Sequence, residues 1–167
     1  VLARLIAEAG NQVLRIGNAR ATSYVARATG NTNAWPLFRM RADATLEELG
    51  TLHALRGDRF HFQPSGKCPN LTRPVDAVSG YFPGLPWFLD DLRPQGFLGR
   101  TLAHRMGRQL GVPEDLARWQ VRDTLTAILH GGTGMGDLLL GQFAVERALA
   151  ELDTPTDAVT SAQRAQR

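Results

Sequence analysis

Gly84-Leu-Pro-Trp-Phe-Leu-Asp-Asp-Leu-Arg-Pro-Gln-Gly-Phe-Leu-Gly-Arg100 divides the chain into a strand-forming front and a helical back. Pro86 sets an extended approach, Trp87, Phe88 and Leu92 supply surface for burial, and Pro94-Gln-Gly96 makes a turn before a helix. Beyond it, Leu98, Leu102, Met106 and Leu110 recur at four-residue spacing and Gly111 ends the segment. Pro113-Glu-Asp115 opens another helix, with proline in its first turn and acids at its positive end. Val121, Leu125, Ile128 and Leu129 give that helix its apolar side. Gly131 to Gly136 reads as a flexible loop, Asp137 to Gly141 as a short strand or turn, and Phe143 to Leu152 as a last helix.

On the other side of the dividing stretch, Trp35 to Arg41, Leu46 to Arg56 and Arg59 to Gln63 read as strands of a small antiparallel meander. Arg56-Gly57-Asp58 is the turn between the second and third. Residues 64–84 hold Pro64, Gly66, Pro69, Pro74, Gly80, Pro83 and Gly84, too many breakers for a regular element, and are expected to be a wandering loop. Thr29-Gly-Asn-Thr-Asn33 marks a boundary with a unit further forward.

That front unit is an amphipathic helix, Val1 to Ala9, with Leu2, Leu5, Ile6 and Ala9 on one face and Gly10 as its stop. Two strand-like runs follow, Gln12 to Ile16 and Arg20 to Ala26, separated by Gly17-Asn18-Ala19. A helix followed by a hairpin matches the last part of a winged helix-turn-helix, and equally any helix-plus-hairpin motif. Charge bears on the choice. Of 19 basic residues 18 are arginines, suited to bidentate phosphate contacts. Residues 1–41 carry six arginines against one acid, Glu8, while the rest carries 13 basic against 15 acidic residues. Only the front is electrostatically prepared for nucleic acid. The candidate DNA contacts are Arg4, Arg15, Asn18, Arg20 and Arg27, with Arg15, Asn18 and Arg20 on the hairpin.

Other chemistry is poorly supported. The glycines at 131–136 end a helix and lead into Asp137-Leu-Leu-Leu with no lysine nearby, whereas a phosphate loop follows a strand, opens a helix and supplies one. Asp90 and Asp91 are adjacent and cannot face one site together. His53, His61, His104 and His130 lack metal-ligand spacing, and His61 with Cys68 would make only two ligands. Cys68, the single cysteine, cannot form an internal disulfide and fits a reducing compartment. No apolar run approaches the roughly 20 residues that span a bilayer. The expectation is a cytoplasmic protein with no membrane partner, no metal and no catalytic residue in this chain.

The Gly84 to Arg100 stretch resembles a segment of HipA-family proteins, toxin-type serine/threonine kinase relatives, in which a Gly-Leu-Pro piece runs into a short helix, a Pro-x-Gly turn and a longer helix. The similarity is greatest to the YjjJ branch, also called HipH, in which a winged helix precedes the HipA-like part. Val13-Leu-Arg-Ile-Gly-Asn-Ala-Arg-Ala-Thr-Ser-Tyr24 resembles its wing, and Gly136-Asp-Leu-Leu-Leu-Gly141 also matches in order. The Gly131 to Gly136 loop is richer in glycine than that branch leads one to expect.

The resemblance implies an α+β fold. Residues 1–29 would be the C-terminal part of a winged helix-turn-helix, with its recognition helix and wing. Residues 30–152 would be a HipA-like N-terminal subdomain of small antiparallel sheet plus helices, and 153–167 a linker toward a kinase core. Val1 is not a natural initiator and 153–167 is polar and linker-like, so sequence is expected before and after this chain, which on the resemblance is an N-terminal piece of a longer parent. That parent would be a DNA-binding toxin kinase using ATP and magnesium, with an antitoxin and a protein substrate as partners. The glycine-rich loop, catalytic aspartate and magnesium-binding aspartate of the family should lie beyond Arg167. The alternative is a transcriptional regulator whose HipA-like part only senses or dimerises.

Overall fold

Ten residues from Leu46 to Leu55 form the strand on which the rest of the fold is assembled. The computed structural model describes residues 2–17, 22–30, 32–66, 80–130 and 136–153. In chain order these form α1 (Leu2–Ala9), β1 (Val13–Ile16), β2 (Ser23–Ala26), β3 (Ala34–Met40), β4 (Leu46–Leu55), β5 (Arg59–Pro64) and β6 (Tyr81–Phe82). There follow α2 (Gly96–Leu110), α3 (Val121–Leu129), β7 (Leu138–Leu140) and α4 (Gln142–Asp153). The fold is α+β, with two antiparallel sheets. One is the hairpin β1-β2 and the other is five-stranded, ordered β6-β5-β4-β3-β7.

The expected meander is present as β3, β4 and β5. β4 is central, and residues 52–55 are all buried, so the alternation expected of a half-exposed strand fades there. The turn at Arg56-Gly57-Asp58 places Gly57 at φ 74° and Asp58 at φ 54°, two left-handed residues in a three-residue hairpin loop. At the other end Leu37 pairs with Gly50 but Phe38 pairs with Glu48, so β4 bulges at Leu49-Gly50. Gly50 has φ 154°, and a Cβ there would lie 2.3 Å from the carbonyl oxygen of Gln63. The bulge thus depends on the absence of a side chain. Pro36 sits within β3 just before the stretch Leu37–Arg39 that pairs with β7, and its carbonyl accepts from the Gly141 amide at 2.8 Å.

Two strands enlarge the meander. The expectation of an irregular loop over 64–84 fails at its end, where Tyr81 and Phe82 pair with His61 and Phe60. The Phe62 amide also donates to the Gly80 carbonyl at 2.7 Å. Long-range pairing supplies order that the breaker-rich local sequence does not. Residues 67–79, Cys68 among them, lie outside the described residues.

The core fills one side of this sheet with Leu37, Leu49, Leu52, Phe60, Phe62, Phe82, Leu85, Phe88, Leu89, Leu125, Ile128 and Leu140. Pro86 takes the extended backbone expected of it, and Trp87–Leu92 forms a short 3-10 helix. Phe88 is its anchor, edge-on to Phe62 at 5.1 Å and to Phe82 at 5.8 Å. Trp87, expected to be buried, is instead 37% exposed and meets the edge of Phe88, while the neighbouring Leu89 is fully buried.

α2 ends as its sequence predicts, at Gly111 with φ 70°. The stripe that marks it as helical is not the face it buries. Leu98 is 53% exposed, whereas Gly99, Ala103 and Gly107 are buried. A Cβ on Gly99 would lie 2.5 Å from the Pro94 carbonyl carbon, and one on Gly107 3.0 Å from the Val112 oxygen. Small residues let the helix lie directly against its flanking backbone. The helix expected to open at Pro113 also differs. Asp115 caps only the 3-10 turn Leu116–Arg118, and the Trp119 indole donates back to the Pro113 carbonyl at 2.7 Å. α3 begins afresh behind a Gln120/Asp123 capping box. Among the described residues no helix is long and apolar enough to cross a membrane.

Candidate functional site

The front of the chain builds a helix and a two-stranded sheet on a short run of sequence. α1 gives way to a 3-10 turn at Gly10–Gln12, where Gly10 takes φ 49°, and β1 starts at once. β1 and β2 pair antiparallel with Val13 opposite Ala26 and Ile16 opposite Ser23. Leu14 is the buried residue of this hairpin, while Arg15 and Tyr24, paired across it, are exposed. Helix and hairpin are where the sequence puts them. The helices that would complete a winged helix-turn-helix are not among the described residues, and the tip of the hairpin, including Asn18 and Arg20, also lies outside them.

The described candidates behave differently from one another. Arg4 projects from α1 with its side chain 85% exposed and pairs with Glu8 one turn on at 2.9 Å. Such a pair is weak in water, so this guanidinium can exchange its partner at little cost. Arg15 is exposed on β1. Arg27 turns inward. Its Nη1 donates to Asn33 Oδ1 at 3.1 Å and lies 3.5 Å from Nδ1 of His53. A guanidinium can only donate, so the second contact requires a lone pair on Nδ1 of His53. Burial, and after it the Arg27 charge, hold the His53 imidazole below its ordinary pKa, against a smaller opposing effect of the Gln63 side chain.

This junction ties the hairpin to the large sheet. Arg27 bridges Leu55, the Ala28 amide donates to the Ala54 carbonyl at 3.0 Å, and the Arg56 amide donates to the Ala26 carbonyl at 3.2 Å. Asn33 returns from the other side, with its amide nitrogen on the Ala28 carbonyl at 3.3 Å and its own carbonyl accepting from the Ala54 amide at 2.8 Å. The residues sequence reasoning missed here are Asn33, His53 and Arg56. The polar run 29–33 marks only a boundary in one dimension; its role as a clasp depends on strand residues twenty positions away.

The remaining candidate chemistry stays scattered. His53 and His61 are buried cross-strand neighbours with ring centroids 6.1 Å apart. Among the described residues no three His, Cys, Asp or Glu side chains gather as a metal site. Asp90 pairs with Arg93 at 3.1 Å. Of the glycine-rich loop only Gly136 is described, at φ 96°; 131–135 lie outside.

Comparison with known proteins fits this arrangement of parts. A profile of the family described as YjjJ-like toxin, middle domain, matches residues 31–149. The chain is 35% identical over 146 residues to Toxin YjjJ of Escherichia coli (strain K12), an alignment covering 86% of this chain and 31% of that protein. The chain therefore spans about a third of the length of that curated relative. No solved structure matches it. On the strength of the profile match, which takes in the five-stranded sheet and the helices packed with it, the chain belongs to the YjjJ-like toxin family.

Proposed function

We propose that this chain is part of a toxin of the HipA kinase type, and that its front unit is the C-terminal part of a DNA-binding winged helix-turn-helix. The observation that carries the DNA reading is the sequence of α1 followed directly by a hairpin that forms a sheet of its own. The arginine excess of residues 1–41 supports it. On this reading Arg4, Arg15, Asn18 and Arg20 hold backbone phosphates, and Arg27 fixes the hairpin's position as well as adding charge. The protein acts in the cytoplasm.

The kinase reading rests on the HipA resemblance of the Gly84 to Arg100 stretch together with the toxin family. Residues 30–152 then form a subdomain that packs on a kinase core, with 153–167 leading toward it. ATP and magnesium belong to the intact parent, and a toxin of this kind has an antitoxin and a protein substrate as partners. No step of phosphoryl transfer is assigned to the described residues.

The test is salt-dependent DNA binding together with magnesium-ATP binding, on this chain and on the longer parent. DNA binding by both, with nucleotide binding and self-phosphorylation by the parent alone, supports the proposal. A parent that binds DNA but never nucleotide is a regulator, and the kinase reading then falls.

A further inference from the structure

Between the 3-10 turn after α1, the hairpin junction and the turn after β4 lies a cleft of about 600 Å³, with Asn11, Gln12, Arg27, Thr29, Asn33 and Arg56 among its lining residues. It is polar and positive. Among the described residues, two guanidinium groups, three amide side chains and a hydroxyl line it, and no carboxylate does. Other described arginines are paired with acids, as Arg4 is with Glu8, Arg41 with Glu47 and Arg147 with Glu151. Arg27 and Arg56 have no carboxylate partner among the described residues. Arg27 is also fixed, because Asn33 Oδ1 holds its Nη1.

A fixed cation, a second and exposed cation lining the same cleft and neutral donors around both make a receptor for an anion with several acceptor oxygens. We propose that this cleft is a phosphate-binding site in which Arg27 and Arg56 supply the charge and Thr29 and the amide side chains supply further hydrogen bonds. The phosphate has two sources of the same chemistry, a phosphodiester of DNA or a free phosphate such as that of a mononucleotide. In the first case the cleft extends the DNA-binding face proposed above; in the second it stands without it.

The site can be tested through Arg56, whose backbone makes its structural bonds. Its amide reaches the Ala26 carbonyl at 3.2 Å and its own carbonyl accepts from Arg59 at 2.9 Å, so Arg56→Gln should leave the fold intact. The chain is titrated with inorganic phosphate at constant ionic strength, following the amide signals of Thr29 and Gly30, and with a DNA duplex over a range of chloride concentrations. Saturable phosphate shifts that chloride does not produce, weakened about tenfold in Arg56→Gln, establish the site. Arg27→Lys, which keeps charge but loses the fork, should weaken them as well. A DNA salt slope shallower by about one in Arg56→Gln assigns the phosphate to DNA. An unchanged slope, or no DNA binding at all, with phosphate binding retained assigns it to a free phosphate. If Arg56→Gln alters neither phosphate nor DNA binding, or wild type binds neither, the cleft is not a phosphate site.

Discussion

Nη1 of Arg27 lies 3.5 Å from Nδ1 of His53, so the residue that ends the hairpin touches a ring on the central strand of the other sheet. That contact exists only while the imidazole is neutral. Protonation removes the accepting lone pair and sets two cations together, with His61 alongside as the next titratable ring.

The folded pKa of His53 is depressed below 6.5, so its contribution to stability is present above about pH 6.5 and is lost as pH falls through the folded value. Denaturant midpoints should be level between pH 8 and 7 and fall toward pH 5. In His53→Gln the fall should be smaller. An equal fall in both would assign it elsewhere.

Asn33→Ala removes the acceptor of Arg27 and the donor to the Ala28 carbonyl. A loss of about 1–3 kcal/mol is expected, larger than for an exposed pair because one partner is a half-buried charge. Urea unfolding measures it, and amide exchange at Ala28 should quicken more than exchange in β5.

Gly50→Ala should cost about 2–4 kcal/mol, because φ 154° is strained for alanine and the new Cβ meets the Gln63 carbonyl oxygen at 2.3 Å. Thermal unfolding reads the loss. A neutral result would mean the bulge can slip.

Phe88 and Leu98 make a contrasting pair within the stretch that divides the chain. Phe88→Ala, at 5% exposure, should cost about 3–5 kcal/mol. Leu98→Gln, at 53% exposure, should stay within about 0.5 kcal/mol despite belonging to the most regular apolar stripe in the sequence.

That contrast marks how far the sequence can be read. Strands β3 to β5, the Gly57-Asp58 turn, the Gly111 stop and the front helix and hairpin are legible because each is signalled by local pattern or turn chemistry. β6 and the broken start of α3 are not, since they depend on His61 meeting Tyr81 and on Trp119 folding back to Pro113. The packed face of α2 misleads for a related reason: periodic leucines mark a helix, while the glycines that touch its neighbours carry no apolar signal. At the candidate site, Arg15 is exposed as a surface contact must be, but the inward turn of Arg27 follows from Asn33 and His53, which are distant in sequence.

The central claim is that the front unit holds DNA through its arginines, and the most direct measurement is the salt dependence of DNA binding by wild type and by Arg15→Gln/Arg20→Gln. The account predicts that wild-type affinity falls linearly in log–log form with salt, and that the double variant binds more weakly with a slope shallower by about two. A wild-type chain that fails to bind DNA at low salt, or a double variant with the wild-type slope, would contradict it.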